Sequence, residues 1–276
     1  MSLVQSAPRV AATDAAQIAH TLFGLHATAT SLPSERDQNF LLRTDNGEQF
    51  VLKIANATES YAMLDAQNQA MIAVARNATS QLCPRVVFNL SGEAISAIRS
   101  ADGAQHLARL LTYLPGTPLA AVKPHTAELM RDLGHSMALL DRALSGFEHP
   151  AAHRHFHWDV ANAAAVIRAH LAEIADPARR ALVERFLLHF EQNSAPLLPS
   201  LRRGIIHGDA NDYNVLVREG GDLYGHHRQI AGLVDFGDMV YSYLVCEPAI
   251  AAAYAMLDKQ DPLAVAGQVI SGYASV

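Results

Sequence analysis

The chain is predicted to be an α+β protein in two lobes, and three observations carry that reading. Phe40 to Thr44 and Gln49 to Ile54 are strand-like runs flanking Asp45-Asn46-Gly47, the pattern of a hairpin with an Asn-Gly turn. Met130, Leu133, Met137, Leu140 and Leu144 recur at three and four residues, an amphipathic helix closed by Gly146. Between them, Leu114-Pro115-Gly116-Thr117-Pro118 ends a strand and stops a helix from starting. That segment is the expected boundary between an N-terminal antiparallel-sheet lobe, residues 1–113, and a larger, mostly helical C-terminal lobe, residues 114–276.

In order, the N-terminal pattern predicts a helix over Ala11 to Phe23, strands over 38–44 and 49–54, and a helix from Glu59 to Arg76. A strand from Arg85 to Asn89 follows Cys83-Pro84, then a turn at Ser91-Gly92 and strands near 94–98 and 106–113. Beyond the boundary, helices are expected over Trp158 to Glu173 and around Val183, Phe186, Leu187 and Phe190, the second introduced by Asp176-Pro177. Strands are expected over 214–217 and 230–234, then small-residue helix from Ala249 to Tyr254 and a short one from Pro262 to Val269.

Composition narrows the class of function. With 276 residues and 50% hydrophobic content, the chain can bury a large core. No Lys/Arg run interleaves with aromatics, and the formal charge is −6, which argues against nucleic acid and suits a small cationic partner. The most apolar stretch, Met239 to Leu257, is broken by Ser242, Glu247 and Pro248, so no membrane span is expected. Met1 to His20 lacks a basic segment followed by an apolar core, and Cys83 and Cys246 stand far apart. Those features lead us to expect a reducing cytoplasm.

The chemistry is concentrated near the C-terminal third. His207-Gly208-Asp209-Ala210-Asn211-Asp212-Tyr213-Asn214 has the spacing H-x-D-x-x-x-x-N, and Asp235-Phe236-Gly237 follows 26 residues after Asp209. Together they are the components needed to move a phosphoryl group from a nucleotide with Mg²⁺. That reaction is mostly positioning and charge neutralisation, so it needs a carboxylate beside the attacking hydroxyl and a metal bridging the phosphates. Asp209 suits the first role, as acceptor of the hydroxyl proton. Asn214 and Asp235 suit the second, offering hard oxygens to an ion whose shell is completed by phosphates. A turn residue, a cap and a loop acid would each be ordinary alone; the combination at this spacing is not. Lys53, in Val51-Leu52-Lys53-Ile54, is the candidate phosphate-binding lysine, set by strand alternation on the face opposite Leu52 and Ile54.

With Lys53, the stretch Arg109 to Gly116, His207 to Asn214, and Asp235 onward in place, the chain resembles the aminoglycoside phosphotransferase and choline kinase superfamily across nearly its whole length. Leu32-Pro33-Ser34-Glu35-Arg36-Asp37-Gln38-Asn39-Phe40 and Asp209 to Asn214 look like its hydroxylysine kinase branch and the phosphotransferase domain that some bacterial proteins fuse to an aminotransferase. The resemblance implies a two-lobed protein-kinase-like fold with ATP or GTP as co-substrate. It implies that Lys53 contacts the α and β phosphates, that Asp209 is the catalytic acid/base, and that Asn214 and Asp235 hold Mg²⁺. The nucleotide base would then meet backbone near Thr112, Tyr113 and Leu114. Fusion or association with an aminotransferase is a further implied partner, and members of the family usually continue beyond a chain end like Val276 with another pair of helices, the pattern of a separated domain.

Two departures from the family pattern stand out. Residues 32–40 contain no glycine, so Ser34 and neighbouring backbone N–H groups would have to cover the phosphates. The helix after the lysine strand carries Gln67 where a glutamate usually partners the lysine, with Asp65 two residues earlier and about 200° around the helix. A nucleotide-binding regulatory domain without turnover, part of a larger aminotransferase fusion, is the alternative that Gln67 leaves open.

For the acceptor, the candidates are Trp158, Asp159 and Asp212, since an aromatic face beside a carboxylate suits the ammonium of an amino alcohol or hydroxy amino acid. The alternative is a core Trp158 and a helix-capping Asp159. Glu247 is a further candidate, with a structural use in the core as its other reading. His153-Arg154-His155-Phe156-His157 is expected as a solvated loop rather than a metal site, and His207 as a packed scaffold beside Asp209.

Overall fold

The structure is a computed structural model that describes residues 8–34, 36–76, 81–100, 103–219 and 227–276. It divides into two compact units between Pro115 and Gly116. Each is built around its own apolar core.

The first unit contains α1 (Ala12–Phe23), β1 (Ala27–Leu32), β2 (Gln38–Thr44), β3 (Gln49–Ile54), α2 (Tyr61–Ala75), β4 (Val86–Val87), β5 (Ser96–Arg99) and β6 (Gln105–Thr112). Among the described residues these strands form a six-stranded antiparallel sheet in the order β1-β2-β3-β6-β4, with β5 also on β6. The Asn-Gly hairpin has the strand limits its sequence predicts, with Arg43 opposite Gln49. Strand periodicity sorts the faces. Phe40, Leu42, Leu52, Ile54, Ala108 and Leu110 point one way and pack with Ala15, Ala19 and Phe23 of α1. Asn39, Lys53 and Arg109 lie in one cross-strand row on the other face. Apolar burial on the α1 side is what fixes that register, because a slip of one residue would turn Lys53 and Arg109 into the core.

Two elements here differ from the sequence reading. β1 was not foreseen: Ala27-Thr28-Ala29-Thr30-Ser31-Leu32 alternates only small alanines with polar residues, a weak signal; it pairs with β2, Leu32 opposite Asn39, and rests Ala27 and Ala29 against the core. The strand expected over Arg85 to Asn89 is only Val86–Val87, because the Asn89 side chain closes a turn instead, accepting the N–H groups of Ser91 and Glu93 at 2.9 and 2.8 Å.

The second unit contains β7 (Thr117–Pro118), α3 (Ala127–Ala143), α4 (Ala163–His170), α5 (Pro177–Asn193), β8 (Arg203–Ile206), β9 (Val215–Glu219), β10 (Arg228–Leu233), β11 (Val240–Tyr243), α6 (Cys246–Met256) and α7 (Pro262–Tyr273). β9 lies between β10 and β7, and β8 pairs with β11. α3 and α7 touch backbone to backbone. A Cβ on Gly134 would sit 1.8 Å from the Val269 carbonyl, and one on Gly272 would sit 1.9 Å from the Arg131 carbonyl. That contact carries α7 four residues past its expected end at Val269.

The helix expected over Trp158 to Glu173 is broken into turns, with α4 only eight residues long. Asp159 caps a 3₁₀ turn over Val160–Asn162 by accepting the Ala161 N–H, and Asn162 donates its side-chain amide to the Phe156 carbonyl. These side-chain bonds compete with helical ones and delay the helix start. Among the described residues no helix is long and apolar enough to cross a membrane.

Candidate active site

β8 delivers the chain to His207 and β9 takes it away at Val215, so the H-x-D-x-x-x-x-N loop is pinned at both ends. Its anchor is Glu247 on α6. One carboxylate oxygen accepts the N–H of His207 at 2.6 Å and of Gly208 at 3.2 Å, and the residue is completely buried. Glu247, weighed as an acceptor-binding residue, is instead walled off from any ligand and serves the loop backbone. Burial, followed by repulsion from the Asp141 carboxylate, holds Glu247 well above the usual carboxylate range.

His207 is the second brace. The Asp209 N–H points at His207 Nδ1 (3.3 Å), which makes Nδ1 the acceptor and leaves Nε2–H to donate to the Val234 carbonyl at 3.2 Å. The ring also meets Phe236 edge-on, with centroids 4.8 Å apart. A neutral imidazole therefore ties the Asp209 loop to the D-F-G strand. Gly208 completes the junction: its φ is +78°, and a Cβ there would approach the Asp238 carbonyl to 2.9 Å. Only glycine fits both demands.

Asn211, which the sequence reading left without a role, organises the loop. Its amide oxygen accepts the N–H groups of Tyr213 and Asn214 at 2.8 and 3.0 Å. Its amide nitrogen donates to both carboxylate oxygens of Asp209, each at 2.9 Å. Asn214 adds a third donor to Asp209 at 2.8 Å. Asn and Asp at i and i+2 are ordinary turn residues, so nothing in the sequence flagged this one.

Asp209 is thus oriented by two amides and half-buried. Burial raises its pKa, the Asn211 bonds oppose that, and repulsion from Asp238 and Asp235 raises it further. An aspartate poised in this way is a better proton acceptor near neutral pH than one in open solvent.

The two motifs meet where the Val234 N–H donates to the Asn214 carbonyl at 2.9 Å. Asp235 then takes a left-handed conformation, φ +65°, with its carboxylate accepting the Gly237 N–H at 3.2 Å. Arg154 secures the far side, donating to the carbonyls of Gly237 and Met239 at 2.8 and 3.1 Å, with its guanidinium 4.0 Å from the Phe156 ring. Tyr254 on α6 feels the same acids: burial first, then Asp209, Asp212 and Asp238, push its phenol pKa up.

The donor set fits a hard cation. Asn214 spends its amide nitrogen on Asp209, which turns its amide oxygen away from that carboxylate, and the acids of the Asp235 turn are near enough to perturb Asp209. Among the described residues there is no group of three or more His, Cys, Asp or Glu that could hold a metal by themselves, the His153 to His157 segment included.

The other acceptor candidates have the following positions. Trp158 is 67% exposed and edge-on to His157, so it fills no core. Asp159 is buried, its Oδ1 taken by the Ser242 hydroxyl at 2.6 Å and the Ala161 N–H at 3.0 Å. Asp212 is partly exposed, and its carbonyl accepts from Ala120 at 2.9 Å.

In the first unit, Lys53 is 7% exposed in the row with Asn39 and Arg109. Gln67, expected to orient the lysine, gives its amide oxygen to Arg109, and Asn68 also accepts from that guanidinium at 3.1 Å. Gln67 is drawn there because directly across from Lys53 stands a second buried cation, Arg109, that needs acceptors. Asp65 accepts from Gln69 at 2.7 Å. Ser34 is exposed in the β1–β2 loop, whose Glu35 lies outside the described residues. Asn56 holds that loop without glycine, its N–H donating to Asp37 at 3.0 Å and its side chain to the Arg36 carbonyl at 3.2 Å. The N–H groups of Thr112 and Tyr113 are spent on the carbonyls of Arg85 and Gln49.

A sheet unit and a helical unit bearing these two loops define a kinase-like phosphotransferase of small molecules. The solved structures that share the fold include an amicoumacin kinase in complex with AMP-PNP and Ca²⁺, with a TM-score of 0.69 at 14% identity over 95% of this chain and 77% of that one. A microcompartment-associated aminopropanol kinase superposes with a TM-score of 0.68 at 22% identity, over 95% of this chain and 80% of the other. The chain belongs to the phosphotransferase enzyme family, whose profile matches residues 28–274. Its relatives include hydroxylysine kinase of Mus musculus, 32% identical over 95% of this chain and 73% of the relative. Hydroxylysine kinase of Xenopus laevis is 31% identical over 100% and 77%.

Proposed function

We propose that this kinase transfers the γ-phosphate of ATP or GTP to the hydroxyl of an amino alcohol or hydroxy amino acid, with a hydroxylysine-like compound as the leading acceptor. The observation that carries the reading is the Asp209 carboxylate, gripped by Asn211 and Asn214 and raised in pKa by burial. The kinship with hydroxylysine kinases over nearly the whole chain supports the choice of acceptor.

In this reading Asp209 orients the acceptor hydroxyl and takes its proton as the oxygen attacks the γ-phosphorus in line; the bond to the β-phosphate oxygen breaks and the nucleoside diphosphate leaves. Asn214 and Asp235 hold Mg²⁺, which neutralises charge on the phosphates. Lys53 adds its charge to the α and β phosphates, and Ser34 covers them from the β1–β2 loop. The nucleotide base meets backbone at Thr112 to Leu114, with Leu114 as the N–H donor because those of Thr112 and Tyr113 are engaged. Trp158 and Asp212 offer an aromatic face and a carboxylate to the acceptor's ammonium.

The test is phosphorylation of a panel of hydroxylysine, ethanolamine, choline, homoserine and aminoglycosides, each with Mg-ATP and with Mg-GTP. Turnover of hydroxylysine well above the rest is expected. Nucleotide binding without turnover of any acceptor would remove the proposal.

A further inference from the structure

A cavity of about 540 Å³ opens in the second unit, with none of Asp209, Asn214 or Asp235 in its walls. Its walls come from the 153–162 segment, from Ala195, Leu198 and Pro199, and from Arg203, Tyr241 and Tyr243 of the β8–β11 ribbon. That volume falls in the range of small-molecule sites, roughly 300–1,000 Å³.

Its charge runs against the rest of the chain. Overall the protein carries a formal −6, yet this wall has two arginines, Arg154 and Arg203, against a single acid, Asp159, while His153 on the same wall is paired with Glu148 at 2.8 Å. Asp159 already has Oδ1 committed to Ser242 and Ala161. Arg203 is the group left to act. Its guanidinium lies 5.0 Å from the Tyr241 ring centre and 4.9 Å from that of Tyr243, and His153 stacks on Tyr241 at 4.2 Å. Among the described residues no carboxylate or carbonyl engages that guanidinium. Two aromatic rings therefore flank a planar fork of N–H donors on the solvent-exposed rim of the cavity, where a ligand can reach it.

We propose that this cavity binds the carboxylate of a small organic acid, with the Arg203 guanidinium as its bidentate anchor. A carboxylate matches the fork with two parallel N–H···O bonds, whereas an amine would be repelled. The site also abuts the catalytic machinery: Arg154, which lines the cavity, is the residue that donates to the carbonyls of Gly237 and Met239 beyond Asp235. The carboxylate has two sources. It is the acceptor's own, a choice that rests on the function proposed above and makes the acceptor a hydroxy amino acid rather than an amino alcohol. Otherwise it belongs to a separate acid, which needs no assumption about the acceptor.

Two measurements on the full chain, with Arg203→Gln and Arg203→Lys beside the parent, decide the matter. The first is calorimetric titration with succinate; the second is steady-state kinetics with 5-hydroxylysine and its decarboxylated counterpart 1,5-diaminopentan-2-ol. Losing a charge-assisted pair should weaken binding roughly tenfold or more. A KM for hydroxylysine raised by that factor in Arg203→Gln and only partly in Arg203→Lys, with the decarboxylated compound unaffected, assigns the carboxylate to the acceptor. Saturable succinate binding lost in Arg203→Gln with both KM values unchanged assigns it to a separate acid. Equal succinate titrations and equal KM values in parent and Arg203→Gln, both with parent-like thermal melting, overturn the proposal. Should no acceptor be phosphorylated, the function fails on its own and the titration still decides the site.

Discussion

The Asn211 amide donates to both carboxylate oxygens of Asp209 at 2.9 Å while its own oxygen accepts two backbone N–H groups of the same loop. One side chain thus joins the position of the reactive acid to the shape of the loop that carries it. Asn211→Ala should lower kcat and cost about 1–3 kcal/mol in stability, since two backbone donors lose their acceptor. Urea denaturation and initial rates measured on one preparation check both effects, and the two should fall together.

Asp209→Asn should depress kcat by roughly 10²–10⁴ with the affinity for nucleotide largely kept, because the proton acceptor is lost, and with it an acceptor for the Asn211 amide, while Lys53 and Asp235 are unchanged. Normal turnover in that variant would end the assignment of Asp209 as the base.

The acid limb of kcat/KM should lie above the ordinary aspartate range. Asp209 works ionised, and burial, with Asp238 and Asp235 adding to it, makes ionisation harder, so activity is lost at a higher pH as the solution is acidified. Asp238→Asn removes one of the repulsive neighbours and should move that limb to lower pH. A pH–rate profile of the variant lying on top of the parent's would contradict this.

Glu247 makes a prediction of opposite sense to the usual acid denaturation. Its folded pKa is raised by burial and by Asp141, so the folded chain holds a proton that the unfolded chain has already released. This contribution is greatest below the ordinary glutamate range and is lost as pH rises toward the raised value. Glu247→Gln should therefore flatten the decline in thermal midpoint between mildly acidic and neutral pH; a variant with the parent's full decline would count against it.

Gly208→Ala should destabilise by about 1–3 kcal/mol and cut activity, since the new methyl meets the Asp238 carbonyl at 2.9 Å in a backbone conformation with φ +78°. Parent-like melting in that variant would show that the loop can shift cheaply.

Asp235→Ala should weaken binding of the Mg²⁺–nucleotide complex more than binding of nucleotide in EDTA. Calorimetry under the two conditions separates a metal-holding role from a purely structural one, which would affect both alike.

What was legible from residue order was local. Strand and turn chemistry set the hairpin of β2 and β3, three-and-four periodicity set α3, and the spacing of Asp209, Asn214 and Asp235 announced phosphoryl transfer. β1 escaped because its inward side chains, Ala27 and Ala29, are too small to give a strong apolar pattern, so much of its definition comes from pairing with β2. The Trp158 to Glu173 helix was overdrawn because two short polar side chains captured backbone groups that periodicity assigns to a helix.

By itself the sequence determined which groups are available for the reaction and where the chain can turn, since those follow from side-chain chemistry and spacing within a few residues. Tertiary structure alone decided what each polar group is spent on: Gln67 on Arg109, Glu247 on the N–H groups of His207 and Gly208, and Arg154 on the carbonyls beyond Asp235. The reason is that a buried donor or acceptor must find a partner, and in these cases the partner comes from 39 to 85 residues away, beyond the reach of any local pattern.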